Sequence, residues 1–169
     1  SSQELDLTNR EAVDAFFRSS HFDYVIFSAV QVANVEASLS MFFNVVRNAN
    51  RYGCLINLGS GAEYDPKRYK PKMEEQYATQ AFPDAGYPLV KSVQGKMIEA
   101  GINASSINLR IFGIYGKFED STRRFISSNV HSALTKGLVT CNRDMLFDFV
   151  HVDVLSDFLY RVVRERHTF

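Results

Sequence analysis

The run Cys54-Leu55-Ile56-Asn57-Leu58-Gly59-Ser60-Gly61 decides how the rest of the chain is read. It is apolar and β-rich up to Leu58, and glycines break it. A run of this kind reads as a strand buried on both faces, as in a parallel sheet. Upstream, Asp23 to Ser28 (DYVIFS) has the same character, and downstream so does Ser106 to Phe112 (SINLRIF). Helical patterns fall around and between these runs. Thr8 or Asn9 can cap the first, with Glu11 in its opening turn and Ala12, Val13, Ala15, Phe16 and Phe17 on its apolar face. The second is expected from Val35 to Tyr52, with Gly53 as its C-terminal stop. Others are expected from Tyr87 to Ala100, from Phe125 to Leu134, and from Val152 to Val163. Gly113 and Gly116 mark a turn, and the polar stretch 65–83, with Pro66, Pro71 and Pro83, reads as a long functional loop. Strand and helix alternate, which argues for an α/β fold with a parallel sheet.

Composition excludes several alternatives. The chain has 169 residues, enough for one domain with a real core. Hydrophobic residues at 46% and charged residues at 22% exclude disorder. Lys plus Arg equal Asp plus Glu at 19 each, so nothing draws the chain generally to nucleic acid or anionic membrane. No apolar stretch reaches the ~18 residues of a membrane span, and no basic segment leads into an apolar core at the start. Cys54 and Cys141 are expected to be reduced thiols in a cytoplasmic protein. His21, His131, His151 and His167 have no metal-ligand spacing, so no metal is expected.

Ligands of open α/β sheets sit beyond the carboxyl ends of the strands. Three features fall there: Ser60, the pair Tyr87 and Lys91, and the segment after Phe112. Tyr87 and Lys91 are four apart and share a helix face. An ammonium beside a phenol favours the phenolate, which can exchange a proton with a hydroxyl or carbonyl. A serine hydroxyl can hydrogen-bond the same oxygen. These parts suit reversible alcohol oxidation with a nicotinamide taking the hydride.

The order of these segments resembles the extended short-chain dehydrogenases/reductases, the NAD(P)-dependent epimerase/dehydratase group that acts on nucleotide sugars. The resemblance rests on Asp6-Leu7, Val25 to Val30 (VIFSAV), Leu58 to Tyr64 (LGSGAEY), Tyr87-Pro88-Leu89-Val90-Lys91, Leu109 to Gly116 (LRIFGIYG) and Phe149 to Asp153 (FVHVD). It implies a Rossmann-like, doubly wound parallel sheet lacking its first strands and most of a C-terminal substrate domain. Residues 1–116 would be the partial cofactor-binding core, and 117–169 the start of the substrate region with late core elements. The resemblance implies that Ser60 bonds the substrate oxygen, that Tyr87 is the general acid/base, and that Lys91 tunes Tyr87 and holds the nicotinamide ribose. Asp6, Leu7, Ser28, Ala29 and Val30 would border an NAD or NADP cofactor, and Arg124 would face the sugar nucleotide. A homodimer and a role in polysaccharide biosynthesis are expected on the same basis.

Departures from the family pattern narrow the chemistry. Where 4,6-dehydratases resemble Thr-Asp-Glu, this chain has Ser60-Gly61-Ala62. Ala62 stands where 3,5-epimerases place cysteine, and Asn129 falls near their histidine. Gly113 replaces the usual Asn, Val154 a second acid, and Phe147 a phosphate-binding Arg, for which Arg143 can substitute. What remains is hydride transfer at one sugar carbon, by an epimerase or reductase. The chain opens Ser1-Ser2 without methionine, and no Gly-x-x-Gly-x-x-Gly turn precedes Asp6. It is therefore expected to be a piece of a longer enzyme. The alternative is a non-catalytic Rossmann-like binding or scaffold module.

Overall fold

A computed structural model describes residues 5–65, 69–79, 82–102, 105–142, 144 and 147–165. They form two compact units, divided between Arg110 and Ile111. The architecture is α/β with parallel strands.

The first unit begins with α1 (Arg10–Arg18). Asn9 is its cap, accepting the Ala12 N–H at 3.1 Å, with Glu11 in the first turn and Arg18 in the last, where the helix dipole favours them. Strand β1 (Phe22–Phe27) follows, then α2 (Val35–Val46), capped by Asn34 through the Ala37 N–H at 2.9 Å. The expected extension of α2 to Tyr52 does not form. The Asn48 side chain takes the Asn44 carbonyl at 2.9 Å and the Asp14 carboxylate at 2.9 Å, and the chain tightens into a 3-10 turn, Ala49–Arg51.

Strand β2 (Tyr52–Ser60) is longer than expected and absorbs Gly53, which is no helix stop. A Cβ at Gly53 would lie 2.8 Å from the Asp23 carbonyl oxygen, so glycine serves the close approach of two strands. β1 and β2 are parallel, with Val25 opposite Leu55 and Phe27 opposite Asn57. Helix α3 (Gly86–Glu99) and strand β3 (Ser106–Ile111) complete the unit, in sheet order β1-β2-β3. The stretch expected as a bare loop contains a 3-10 helix, Glu75–Thr79. The core joins Val13 and Phe17 of α1, Phe27 of β1, Met41, Phe42 and Val45 of α2, and Leu55 of β2. Phe27 meets Phe42 edge-on at 5.5 Å between ring centroids.

In the second unit, β4 (Gly113–Tyr115) pairs in parallel with β5 (Phe149–His151). Gly113 thus opens a strand rather than a turn. A Cβ there would meet the Phe149 ring at 2.5 Å. α4 (Phe125–Lys136) ends at Gly137, whose φ of 66° and N–H bond to the Ala133 carbonyl make a left-handed cap. α5 (Val152–Arg164) is capped by His151, whose Nδ1 accepts the Asp153 N–H at 3.2 Å. No helix among the described residues is long and apolar enough to cross a membrane.

Two outcomes follow from the core of the first unit. Phe42 is fully buried, so Phe42→Ala is expected to cost about 3–5 kcal/mol, read as a lower urea midpoint at unchanged slope. Burial pushes the Tyr52 phenol up to about 12. An acid whose folded pKa is raised loses stability as pH climbs from its unfolded value near 10 toward 12. Tyr52→Phe is therefore expected to unfold at higher pH than wild type in an alkaline titration followed by circular dichroism.

Candidate functional site

Because β1 and β2 are parallel, the residues that follow them emerge at one edge of the sheet. After β1 come Ser28, exposed, and Ala29 and Val30, both half-buried. Ser38 of α2 fixes this turn: its hydroxyl accepts the Gln31 N–H and donates to the Gln31 carbonyl, each at 2.9 Å. At the end of β2, Ser60 begins a 3-10 turn, Gly61–Glu63. Its Oγ accepts the Ala62 N–H at 3.1 Å, and its own N–H donates to Glu63 Oε1 at 2.9 Å. The hydroxyl proton of Ser60 remains available for donation to a ligand.

Helix α3 packs against β2 and the Gly61–Glu63 turn. Its first turn carries Tyr87, half-buried, and its second carries Lys91, only 3% exposed. Lys91 Nζ donates to the Leu58 carbonyl at 2.6 Å, two residues before Ser60, and lies 5.8 Å from the Tyr87 ring centroid. The fold thus brings Ser60, Tyr87 and Lys91 to one strand end. Burial pushes the Lys91 ammonium down from the usual lysine range, and the Glu63 carboxylate opposes that shift. One Nζ proton is committed to Leu58, leaving two for other acceptors.

Asp6 and Leu7 form an ordered turn before α1. Asp6 Oδ1 accepts the Thr8 N–H at 2.9 Å and the Thr8 hydroxyl at 2.7 Å, which hold its carboxyl below the usual range. Asn44 of α2 donates to the Leu7 carbonyl at 2.9 Å, and the Leu7 side chain packs on the core. Arg124 belongs to the second unit, exposed at the N-terminal end of α4. Arg143 lies outside the described residues. Among the described residues, no cluster of His, Cys, Asp and Glu could hold a metal.

The sequence reading missed Glu63. It is 2% exposed, and its carboxylate accepts Asn108 Nδ2 at 2.9 and 3.1 Å and Arg110 Nε at 2.8 Å, besides the Ser60 N–H. Two signals were present: Ser60-x-x-Glu63 has capping-box spacing, and Asn108 and Arg110 are polar residues in an otherwise apolar strand.

The buried ammonium gives a pH test. With the folded pKa of Lys91 lowered, the unfolded chain binds more protons between that value and 10.5, so stability rises with pH across this window. At neutral pH wild type carries the full burial penalty. Lys91→Met is therefore expected to be more stable than wild type by about 1 kcal/mol at pH 7, the gap closing as pH approaches 10.5 in denaturant titrations.

Comparison with known proteins bears on the family and the fold. Residues 1–168 match the model of the NAD dependent epimerase/dehydratase family. No curated protein matches the chain. Among solved structures, it is similar to a GDP-D-glycero-L-gluco-heptose synthase from Campylobacter jejuni, determined in the presence of NADPH. The TM-score is 0.75 at 18% identity, covering 97% of this chain and 65% of that one. A GDP-mannoheptose C4 reductase from Campylobacter jejuni with NADP bound gives 0.70 at 22% identity, over 97% and 63%. A Thermus thermophilus UDP-glucose 4-epimerase in complex with NAD gives 0.65 at 20% identity, over 92% and 58%. The chain spans less than two thirds of each of these structures, and at such identity the likeness is one of fold.

Proposed function

Because the chain belongs to the NAD dependent epimerase/dehydratase family, we propose that it carries the proton-transfer half of a nucleotide-sugar epimerase or reductase site. The observation that carries this reading is Lys91: a buried ammonium beside Tyr87, bonded to the carbonyl of Leu58, which lies two residues before Ser60. A buried cation next to a phenol at a strand end destabilises the fold, and general acid/base chemistry is the use that such an arrangement serves.

In the proposed mechanism, Ser60 donates its hydroxyl proton to the substrate oxygen and orients it. Tyr87 delivers a proton to that oxygen in reduction, or removes one in oxidation. The Lys91 ammonium stabilises the phenolate left behind. The residues that would hold an NAD or NADP dinucleotide are Asp6, Leu7, Ser28, Ala29, Val30 and Lys91, the last through its two remaining protons. Such a cofactor supplies or accepts the hydride. On the family resemblance alone, Arg124 is the candidate for the phosphates of the sugar nucleotide.

The donor set disfavours water elimination. Gly61 and Ala62 offer neither carboxylate nor thiol, and the carboxylate of Glu63 is occupied by Ser60, Asn108 and Arg110. Single-carbon hydride chemistry is left.

The test supplies a panel of 4-keto nucleotide sugars with NADPH or NADH and follows cofactor oxidation. Tyr87→Phe is expected to lower kcat by roughly 10²- to 10⁴-fold with dinucleotide affinity unchanged. Equal turnover by Tyr87→Phe and wild type would overturn the reading.

A further inference from the structure

We propose that Glu63 is the positioning residue of this site: clamped from β3, it holds Ser60 by its peptide N–H and so sets where the Ser60 hydroxyl and the neighbouring Lys91 ammonium stand. The inference rests on the acid/base reading given above and names a residue that the reading itself does not use.

Four contacts converge on one buried carboxylate. Ser60 N–H reaches Oε1 at 2.9 Å, Asn108 Nδ2 spans both oxygens, and Arg110 Nε meets Oε2 at 2.8 Å. With donors on both oxygens, the group has no free rotation. Asn57 of β2 fixes Asn108 in turn, its Nδ2 donating to Asn108 Oδ1 at 2.7 Å. The surrounding backbone is cleared for this cluster. A Cβ at Gly59 would lie 2.4 Å from Asn108 Oδ1 and 2.5 Å from Glu63 Oε1. A Cβ at Gly95 of α3 would lie 2.5 Å from Glu63 Oε2 and 2.8 Å from Asn108 Nδ2. Since neither polar side chain can swing aside, any residue but glycine at 59 or 95 displaces the carboxylate.

The cluster also sets charge. Glu63 faces Arg110 from β3 and acts on Lys91 from α3. Arg110 is shared with Glu75 of the 3-10 helix Glu75–Thr79 and with Glu99 of α3, and it lies 6.0 Å from the Tyr64 ring. Glu75 is almost fully exposed, so Glu63 is the buried countercharge.

The experiment compares Glu63→Gln with Glu99→Gln in the whole chain. Both deprive Arg110 of a carboxylate, and only the first touches Ser60. Glu63→Gln/Arg110→Gln is the second variant, keeping charge balance should the single change fail to fold. Two readouts need no turnover: hydrogen exchange at the Ser60 amide, and an NMR titration of the lysine Cε resonances, with Lys91 assigned by Lys91→Arg. Glu63→Gln or its double variant is expected to speed Ser60 exchange at least tenfold and to move the Lys91 midpoint to lower pH. It is also expected to lower kcat at least tenfold with dinucleotide KM unchanged. Glu99→Gln is expected to change none of these. A fall in melting temperature alone, with Ser60 exchange and the Lys91 midpoint as in wild type, would overturn the proposal. Absence of turnover in wild type would instead fail the acid/base reading, with the two spectroscopic readouts still deciding the role of Glu63.

Discussion

The contact of the buried Glu63 carboxylate with Arg110 is the interaction on which the geometry at the end of β2 depends. Removing both charges from water is costly, and the attraction between them recovers that cost only if every remaining lone pair and proton is used. Here most are: Asn108 and the Ser60 N–H occupy the rest of the carboxylate, while Glu75 and Glu99 each take one further nitrogen of the guanidinium. The cluster therefore joins the end of β2, the middle of β3, the C-terminal end of α3 and the 3-10 helix Glu75–Thr79. A hydrophobic replacement would stabilise the fold as well, without fixing the geometry of Ser60.

Lys91 presents the complementary case. Its ammonium is buried with one carbonyl for a partner and with a nearby anion that only partly offsets the loss of water. Packing alone gives no reason for an ammonium there, since an apolar side chain would fill the same space at lower cost. Placed beside Tyr87 at a strand end, it has a use in the proposed acid/base chemistry, and the Phe42–Leu55–Val13 core supplies the stability that tolerates it. In the proposed site Glu63 and Lys91 thus divide the work, the first holding the position and the second the charge.

Much of this organisation was legible in the chain. The three apolar runs became β1, β2 and β3, and the capping of α1 by Asn9 and the end of α4 near Gly137 followed from local chemistry. Ser60, Tyr87 and Lys91 were legible as candidates, and the structure sets Lys91 between the strand end and the Tyr87 ring. The misreadings share a cause. Gly53 and Gly113 resemble helix stops and turns, yet each serves the close approach of a neighbouring strand or ring that local sequence does not reveal. The premature end of α2 depends on Asn48 reaching Asp14 of α1, a contact between residues 34 positions apart.

What the sequence by itself determined is the local alphabet: which runs are strands, which are helices, and which residues are candidates for chemistry. It could do so because apolar periodicity, capping and spacing act within a few residues. Only the tertiary structure decided that Glu63 is the hub, because its partners Asn108 and Arg110 stand 45 and 47 positions away. It likewise decided that Lys91 is buried against the Leu58 carbonyl, 33 positions back. The worth of a charge depends on what surrounds it, and those surroundings exist only once β2, β3 and α3 have come together.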